Sequence, residues 1–444
     1  MIAPRTSLLF WVALVVLPLA VVLAASPAAE TAGWALAGGL GLVALLDALG
    51  ARTRLSDLRV ELPPIARMSK DRDAKLELRV YNARRRPLTL RFALALPREF
   101  DSAQPDLEVA LPDSDEWSRF SWACRPRRRG RFQIDTAYLE TASPLGLWSV
   151  RRAVPASAEI RVYPNLRADR RSLAALFLHR PAPGLRTQRQ VGKGHEFEKL
   201  RDYVAGDGFE DVHWKATAKH GRPITKVFQV ERTQEVYVVL DASRLSARPP
   251  VPGDRSGATC LERYVTAALV LGLAAEQQGD LFGLLTFADK VQTFVRAKNG
   301  QAHYNACRDA LYTIQPQGVS PDFDELCTTI RLRLRRRTLL IFLTSLDDPE
   351  LASSFVKNMD LLRRQHLVVV NMIQPPGVAP VFGAPIASAD ELYQQLGGHL
   401  RWHNLRELEK VLQRRGVQFQ LLKNENLSAQ VVTQYLRIKQ RQLL

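Results

Sequence analysis

Between Gly192 and Arg232 the chain reads GKGHEFEKLRDYVAGDGFEDVHWKATAKHGRPITKVFQVER, its densest run of groups able to do chemistry. His195, His213 and His220 stand there among Glu196, Glu198, Asp202, Asp207 and Asp211. An imidazole beside a carboxylate can move protons near neutral pH. His195 or His213 with Glu198 or Asp211 would then be the working pair of a hydrolase. The same acids can instead pair with Arg201, Lys215 and Arg232 in a solvated or interdomain ion-pair network, which is the preferred reading.

The block runs straight into VYVVLDAS, an apolar strand that delivers Asp241 and Ser243 to its C-terminal tip. Open α/β sheets build sites there, in the crevice outside the carboxyl ends of their strands. Ser320 sits at a second such loop, and Thr344-Ser345 ends a third strand with Asp347 and Asp348 just beyond. Asp241, Ser243, Ser320, Ser345 and Asp347 together form an oxygen-only set that would suit a hard cation such as Mg²⁺. The competing reading is that these residues are helix N-caps, where Ser, Thr and Asp satisfy backbone N–H groups. Carboxylates are few for a divalent ion.

Other motifs exclude more than they offer. His399 and His403 have the spacing of two ligands on one helix face, but Leu-Arg-Trp lies between them without the Glu a zinc protease needs. Gly192-Lys-Gly194 lacks the GxxxxGK[ST] spacing and follows no apolar strand, so no nucleotide site is expected. Cys124, Cys260, Cys307 and Cys327 form no CxxC pair, which points to reduced thiols. The run Arg331-Leu-Arg-Leu-Arg-Arg-Arg337 reads as the end of a helix, where cations suit the negative end of the dipole.

The elements that must position these residues follow from hydrophobic period. From Leu55 to Leu166 apolar and polar residues alternate, as in Lys75–Tyr81 and Leu88–Leu94, with turn signals at Asn82, Pro97, Gly130 and Pro144-Leu-Gly146. Short alternating strands at this spacing predict an antiparallel β-sandwich. Beyond Pro181-Ala-Pro-Gly184 continuous apolar runs alternate with amphipathic stretches. Strands are predicted at 236–240, 281–287, 338–343, 367–373 and 417–421. Helices are predicted at 260–278, 301–314, 323–335, 350–365, 389–415 and 428–441. Such alternation predicts a parallel sheet with helices on both faces.

The front of the chain is different. Residues 7–25 carry no charge and residues 33–50 carry only Asp47, each close to the ~20 apolar residues that cross a bilayer. Arg5 precedes the first run, and Arg52, Arg54 and Arg59 follow the second, which puts both flanks in the cytoplasm. A cleavable leader ending near Ala24-Ala25-Ser26 is the alternative for the first run. The net charge of +17, with runs such as Arg84-Arg85-Arg86, fits a basic surface facing an anionic leaflet. No recognition helix or aromatic-basic platform accompanies it, so nucleic acid is not expected as a partner.

The polar block also resembles a known signature. Gly194, Glu196, Phe197, Arg201, Tyr203, Gly206-Asp207, Trp214-Lys215 and Glu231-Arg232 are similar to that of the domain-of-unknown-function 58 family. Arg128-Arg-Gly130, Pro144-Leu-Gly-Leu147, Val162-Tyr-Pro164 and Gly279-Asp280 add to the likeness. The resemblance implies a transmembrane hairpin (1–54), a β-sandwich (55–166), a linker with the signature block (167–232) and a von Willebrand factor A-like domain (233–444). It further implies an accessory protein of the inner membrane, facing the cytoplasm, that works with a MoxR-type AAA+ ATPase or its client in chaperone-like maturation or envelope stress. No enzyme activity is established for the family as a class. In that fold a metal is commonly held by DxSxS, a Thr and an Asp; here Asp241 and Ser243 match, Leu245 takes the third position, and Thr344-Ser345 replaces Ser-Asp. His213 stands where the family has Asp before the Trp, and Ser143 where it has Asp before Pro-Leu-Gly. The expectation is a non-catalytic, membrane-tethered binding adaptor, with a metal-free scaffold or a hydrolase as alternatives.

Overall fold

The computed structural model describes residues 1–444 apart from 26–29, 86, 179–195, 205–207, 230–233, 252–257, 381–387 and 442–444. The chain divides into two compact units, Met1–Asn165 and Leu166–Leu444.

In the first unit, helices Thr6–Ala25 and Glu30–Ala51 touch each other. The segment Gly33–Ala51 is long and apolar enough to cross a membrane, and Thr6–Val21 is apolar but shorter. Both leave large apolar side chains uncovered, among them Phe10, Leu17, Trp34 and Leu46. The strands that follow make two sheets. One runs Ile2–Pro4, Trp148–Tyr163, Gly130–Ala142, Leu88–Leu94, Leu107–Leu111, with Ile65–Ser69 added to Trp148–Tyr163. The other runs Leu58–Glu61, Ala74–Asn82, Trp117–Pro126, Phe100–Asp101. Period-two alternation does what it should: in Ala74–Asn82, Leu76, Leu78 and Val80 are buried while Lys75, Glu77 and Arg79 face out or to the rim. Those three pack in one core with Phe92, Ile134 and Ile160 of the larger sheet. The pairing is antiparallel except between Ile65–Ser69 and Trp148–Tyr163, which are parallel.

Asp47 joins the apolar helix to this core. It is buried, and its carboxylate accepts from Ser143 Oγ at 2.5 Å and from the Leu145 N–H at 2.9 Å. Trp148 Nε1 donates to the Ala44 carbonyl at 2.8 Å. A charge near the end of a membrane-length helix is tolerable because protein donors replace water around it.

The second unit is built on a six-stranded sheet in the order Val291–Lys298, Leu281–Phe287, Glu235–Asp241, Leu339–Leu343, Leu367–Ile373, Gln418–Leu422. The all-parallel expectation needs correction: Val291–Lys298 pairs antiparallel to Leu281–Phe287, so the sheet is mixed. That strand is an edge, half-exposed and interrupted by Gln292, Thr293, Arg296 and Lys298, and so lacks the continuous apolar run that marks its neighbours.

Residues on the central strand alternate between two cores. Val236, Val238 and Leu240 face a layer containing helices Cys260–Gln277 and Leu427–Gln440. Tyr237 and Val239 face Phe323–Arg333, Pro349–Leu362 and Ala389–Arg414. Thr259 caps Cys260–Gln277 by accepting from the Glu262 N–H, the Thr-x-x-Glu arrangement of a helix start, and the helix is apolar all round because it is buried against the sheet. Helix Arg167–Leu178 sends Leu173 into the first core. Gly283 is required where it stands, since a Cβ there would lie 2.3 Å from the Tyr237 ring. Within the signature block, expected as a linker, Glu196–Asp202 pairs antiparallel with Ile224–Gln229 as a separate two-stranded ribbon.

Candidate functional site

Register brings the predicted loops to one edge. Asp241 is level with Phe287, and Leu240 with Leu343, so the three central strands end together. Asp241 is fully buried. Its Oδ1 accepts from the Ser243 N–H at 2.8 Å and its Oδ2 from Thr344 Oγ1 at 2.6 Å. Burial pushes the Asp241 carboxyl above the usual carboxylate range; the Ser243 and Thr344 hydroxyls and the Ser243 and Ser345 amides pull the other way without cancelling it.

The remaining predicted ligands are drawn in but turned to other partners. Ser243 Oγ accepts from the Leu245 N–H, and Ser246 Oγ donates to the Ser243 carbonyl, closing a tight turn. The Ser320 loop is tied down by the Gln317 N–H to the Ala242 carbonyl and the Arg244 N–H to the Val319 carbonyl. Ser320 Oγ accepts from Arg244 Nε at 3.0 Å. Asp347 pairs with Arg248 at 2.5 Å. Asp348 is an N-cap, accepting from the Glu350 N–H at 3.0 Å with Pro349 in the first turn.

These donors do not fit a divalent cation. A hard ion needs several free oxygens and compensating negative charge. Here the one deeply buried carboxylate has a donor on each oxygen, the second carboxylate is neutralised by a guanidinium, and another guanidinium holds the Ser320 hydroxyl. Among the described residues no group of three or more His, Cys, Asp or Glu could hold a metal. The loops expected to hold Mg²⁺ through Asp241, Ser243, Ser320, Ser345 and Asp347 do converge, but Asp241, Ser243, Ser320 and Asp347 are each already engaged with other protein groups. Arg244 and Arg248 were the missed participants, and their signal was charge at positions next to the matched hydroxyls.

The signature block builds a second surface. Gly194, His195, Gly206, Asp207, Glu231 and Arg232 lie outside the described residues. Glu196 and Phe197 begin the ribbon, and Arg201 and Tyr203 follow on its first strand and the turn after it, where the Tyr203 N–H donates to the Pro223 carbonyl. His213 is not poised as a base: its Nδ1 accepts from the Ala216 N–H at 3.0 Å and caps helix Trp214–His220. No hydrogen bond or ion pair joins His213 to Asp211 among the described residues. The Asp202 carboxylate pairs instead with Arg222 at 3.1 Å. Val212 and Ile224 are buried beneath this helix, while Lys215 is exposed. Trp214 is 60% exposed and packs at 5.5 Å between ring centroids on Phe209, itself 74% exposed. Phe209 was not singled out from sequence; one aromatic five residues before another gives no periodic signal.

Residues 199–379 match the family model described as "Protein of unknown function DUF58". No curated protein matches the chain. Among solved structures, an aerotolerance-related membrane protein from Bacteroides fragilis, carrying multiple mutations to serines, is 16% identical over 46% of this chain and 98% of its own, with a TM-score of 0.30. The mussel byssus proximal thread matrix protein 1 is 15% identical over 46% of each chain, with a TM-score of 0.26. An uncharacterized membrane spanning protein from Vibrio fischeri is 15% identical over 46% of this chain and 98% of its own, with a TM-score of 0.17. At these scores none of the three decides the fold or function of this chain.

Proposed function

The chain carries a DUF58 segment, and on that premise we propose that it is a non-catalytic, membrane-anchored adaptor that binds another protein through its signature block. The observation that carries the reading is the exposed Phe209–Trp214 pair on a small ribbon whose histidine is occupied as a helix cap. Large aromatics paired in solvent are the residues that anchor protein interfaces. The mixed sheet, with its antiparallel edge strand and Asp241-x-Ser243 at a strand tip, supports a von Willebrand factor A-like domain working without its metal.

The anchor is a helical hairpin. Strand Ile2–Pro4 pairs with Trp148–Tyr163, which supports a hairpin whose first residues are kept beside the sandwich. Both ends of the hairpin thus return to one side of a bilayer, and Arg5, Arg52 and Arg54 favour the cytoplasmic side of an inner membrane. The partner is a MoxR-type AAA+ ATPase or its client, as the family resemblance implies.

Co-purification of the full chain in neutral detergent with the MoxR-type ATPase from the same genome tests this. Trp214→Ala and Phe209→Ala should each weaken the complex by about tenfold, the scale of an interface anchor. Full binding by both variants would reject the signature block as the docking surface.

A further inference from the structure

The run Arg331–Arg337 only partly fits the helix-end explanation. Helix Phe323–Arg333 stops before Arg335 and Arg336, which lie in the connection to strand Leu339–Leu343. There they line a cavity of 600 Å³ at the N-terminal edge of the sheet, opposite the Asp241 edge. Arg333 from the helix end and Arg296 from the edge strand line it too, and among the described residues Glu235 is the one acid in its wall. Among the described residues none of these four guanidiniums has an ion-pair partner.

The cavity is built rather than incidental. Its floor is Tyr237 stacked on Phe294, with centroids 6.0 Å apart and planes 13° from parallel. The Ala297 N–H donates to Tyr237 Oη at 3.0 Å, which fixes the ring over Gly283. The Arg333 guanidinium lies 5.0 Å from the Phe294 centroid. Gln365 Nε2 donates to the Arg335 carbonyl at 2.7 Å and to that of Leu334 at 3.4 Å, holding the arginine-bearing turn in place.

We propose that this cavity binds the phosphate group of an organic phosphate. Like charges crowded at one opening repel, and a multiply charged anion relieves that repulsion. The guanidinium fork matches phosphate oxygens two at a time, which is why arginines rather than lysines suit such a site. The volume exceeds what a bare phosphate fills, so the ligand brings a carbon skeleton to the aromatic floor. That phosphate belongs either to a lipid headgroup or to a soluble compound.

Calorimetric titration of the full chain in neutral maltoside detergent separates these. One arm uses inorganic pyrophosphate, the other dihexanoyl phosphatidic acid below its micellar concentration. Saturable heat is expected in at least one arm: phosphatidic acid alone marks a lipid headgroup, and pyrophosphate binding marks a soluble phosphate. Arg335→Gln, and separately Arg336→Gln, should weaken it by about tenfold. Arg406→Gln, an arginine on the exposed face of Ala389–Arg414 paired with Glu409, removes the same charge elsewhere and should leave it within about twofold. The site is overturned if neither compound binds by roughly 10 mM, or if Arg406→Gln weakens binding as much as the cavity variants do.

Discussion

The two ends of the mixed sheet are opposites. At the carboxyl end the predicted polar groups are engaged within the fold: Asp241 with Thr344 and the Ser243 amide, Ser320 with Arg244, and one oxygen of Asp347 with Arg248. At the amino end Arg296, Arg333, Arg335 and Arg336 surround a cavity in which Glu235 is the only acid among the described residues of its wall. The acids near that end are engaged elsewhere, Asp280 with Lys439 and Asp360 with Arg363 and Arg415. Closed polar sets hold loops in place, whereas unbalanced charge invites a ligand. An α/β sheet is usually searched at its carboxyl end; here the chemical imbalance lies at the other.

The contrast can be broken in order of size. Asp280 is the buried acid of the amino end: its carboxylate accepts from the Gln234 N–H at 3.0 Å, from Tyr435 Oη and from Lys439 Nζ at 2.8 Å, and so pins the last helix to the sheet. Asp280→Ala would leave an ammonium and a phenol near the core without their acceptor. A loss of about 3–5 kcal/mol in urea unfolding of the full chain in detergent is expected. A loss under about 1 kcal/mol would show that the pin is dispensable.

A smaller effect is expected at the carboxyl end. Asp241→Ala strands the Thr344 hydroxyl and the Ser243 amide, at a cost of about 1–3 kcal/mol, and Asp241→Asn should recover part of it. Millimolar Mg²⁺ should leave the melting temperature of the unmodified chain unchanged. A Mg²⁺-dependent rise that disappears in Asp241→Ala would reinstate a cation there and dissolve the contrast.

The mildest test is a pH scan. His366 is buried with Nδ1 2.9 Å from Thr338 Oγ1, and burial pushes its pKa down from 6.5 to about 4. The unfolded chain then binds the extra proton between those values and the folded chain does not. The stability His366 contributes is full above pH 6.5 and is lost as pH falls toward 4. Melting curves should show that slope, and His366→Gln should flatten it; an unchanged slope would assign acid sensitivity to the carboxylates alone.

Much of this was legible before any coordinates. Continuous apolar runs against alternating ones separated the second unit from the first, and the strand at 281–287 appears at the bounds expected. Val291–Lys298 was missed because an edge strand need not be apolar on both faces. Ile2–Pro4 was missed because a three-residue strand carries no period. At the candidate site the residue types that meet at the rim were legible, but their partners were not. Asp241 and Ser320 look like ligands when only their types are visible, and they become a loop clasp once Thr344 and Arg244 are seen beside them.

Residue order alone determined which segments are greasy enough for lipid, which form strands and helices, and that three polar turns share a rim, since period and chain direction are local properties. Only tertiary packing decided how charges pair across long separations, such as Arg248 with Asp347, and which arginines of one run have no ion-pair partner among the described residues, because electrostatic energy depends on distance in space and on burial, and neither is written in spacing along the chain.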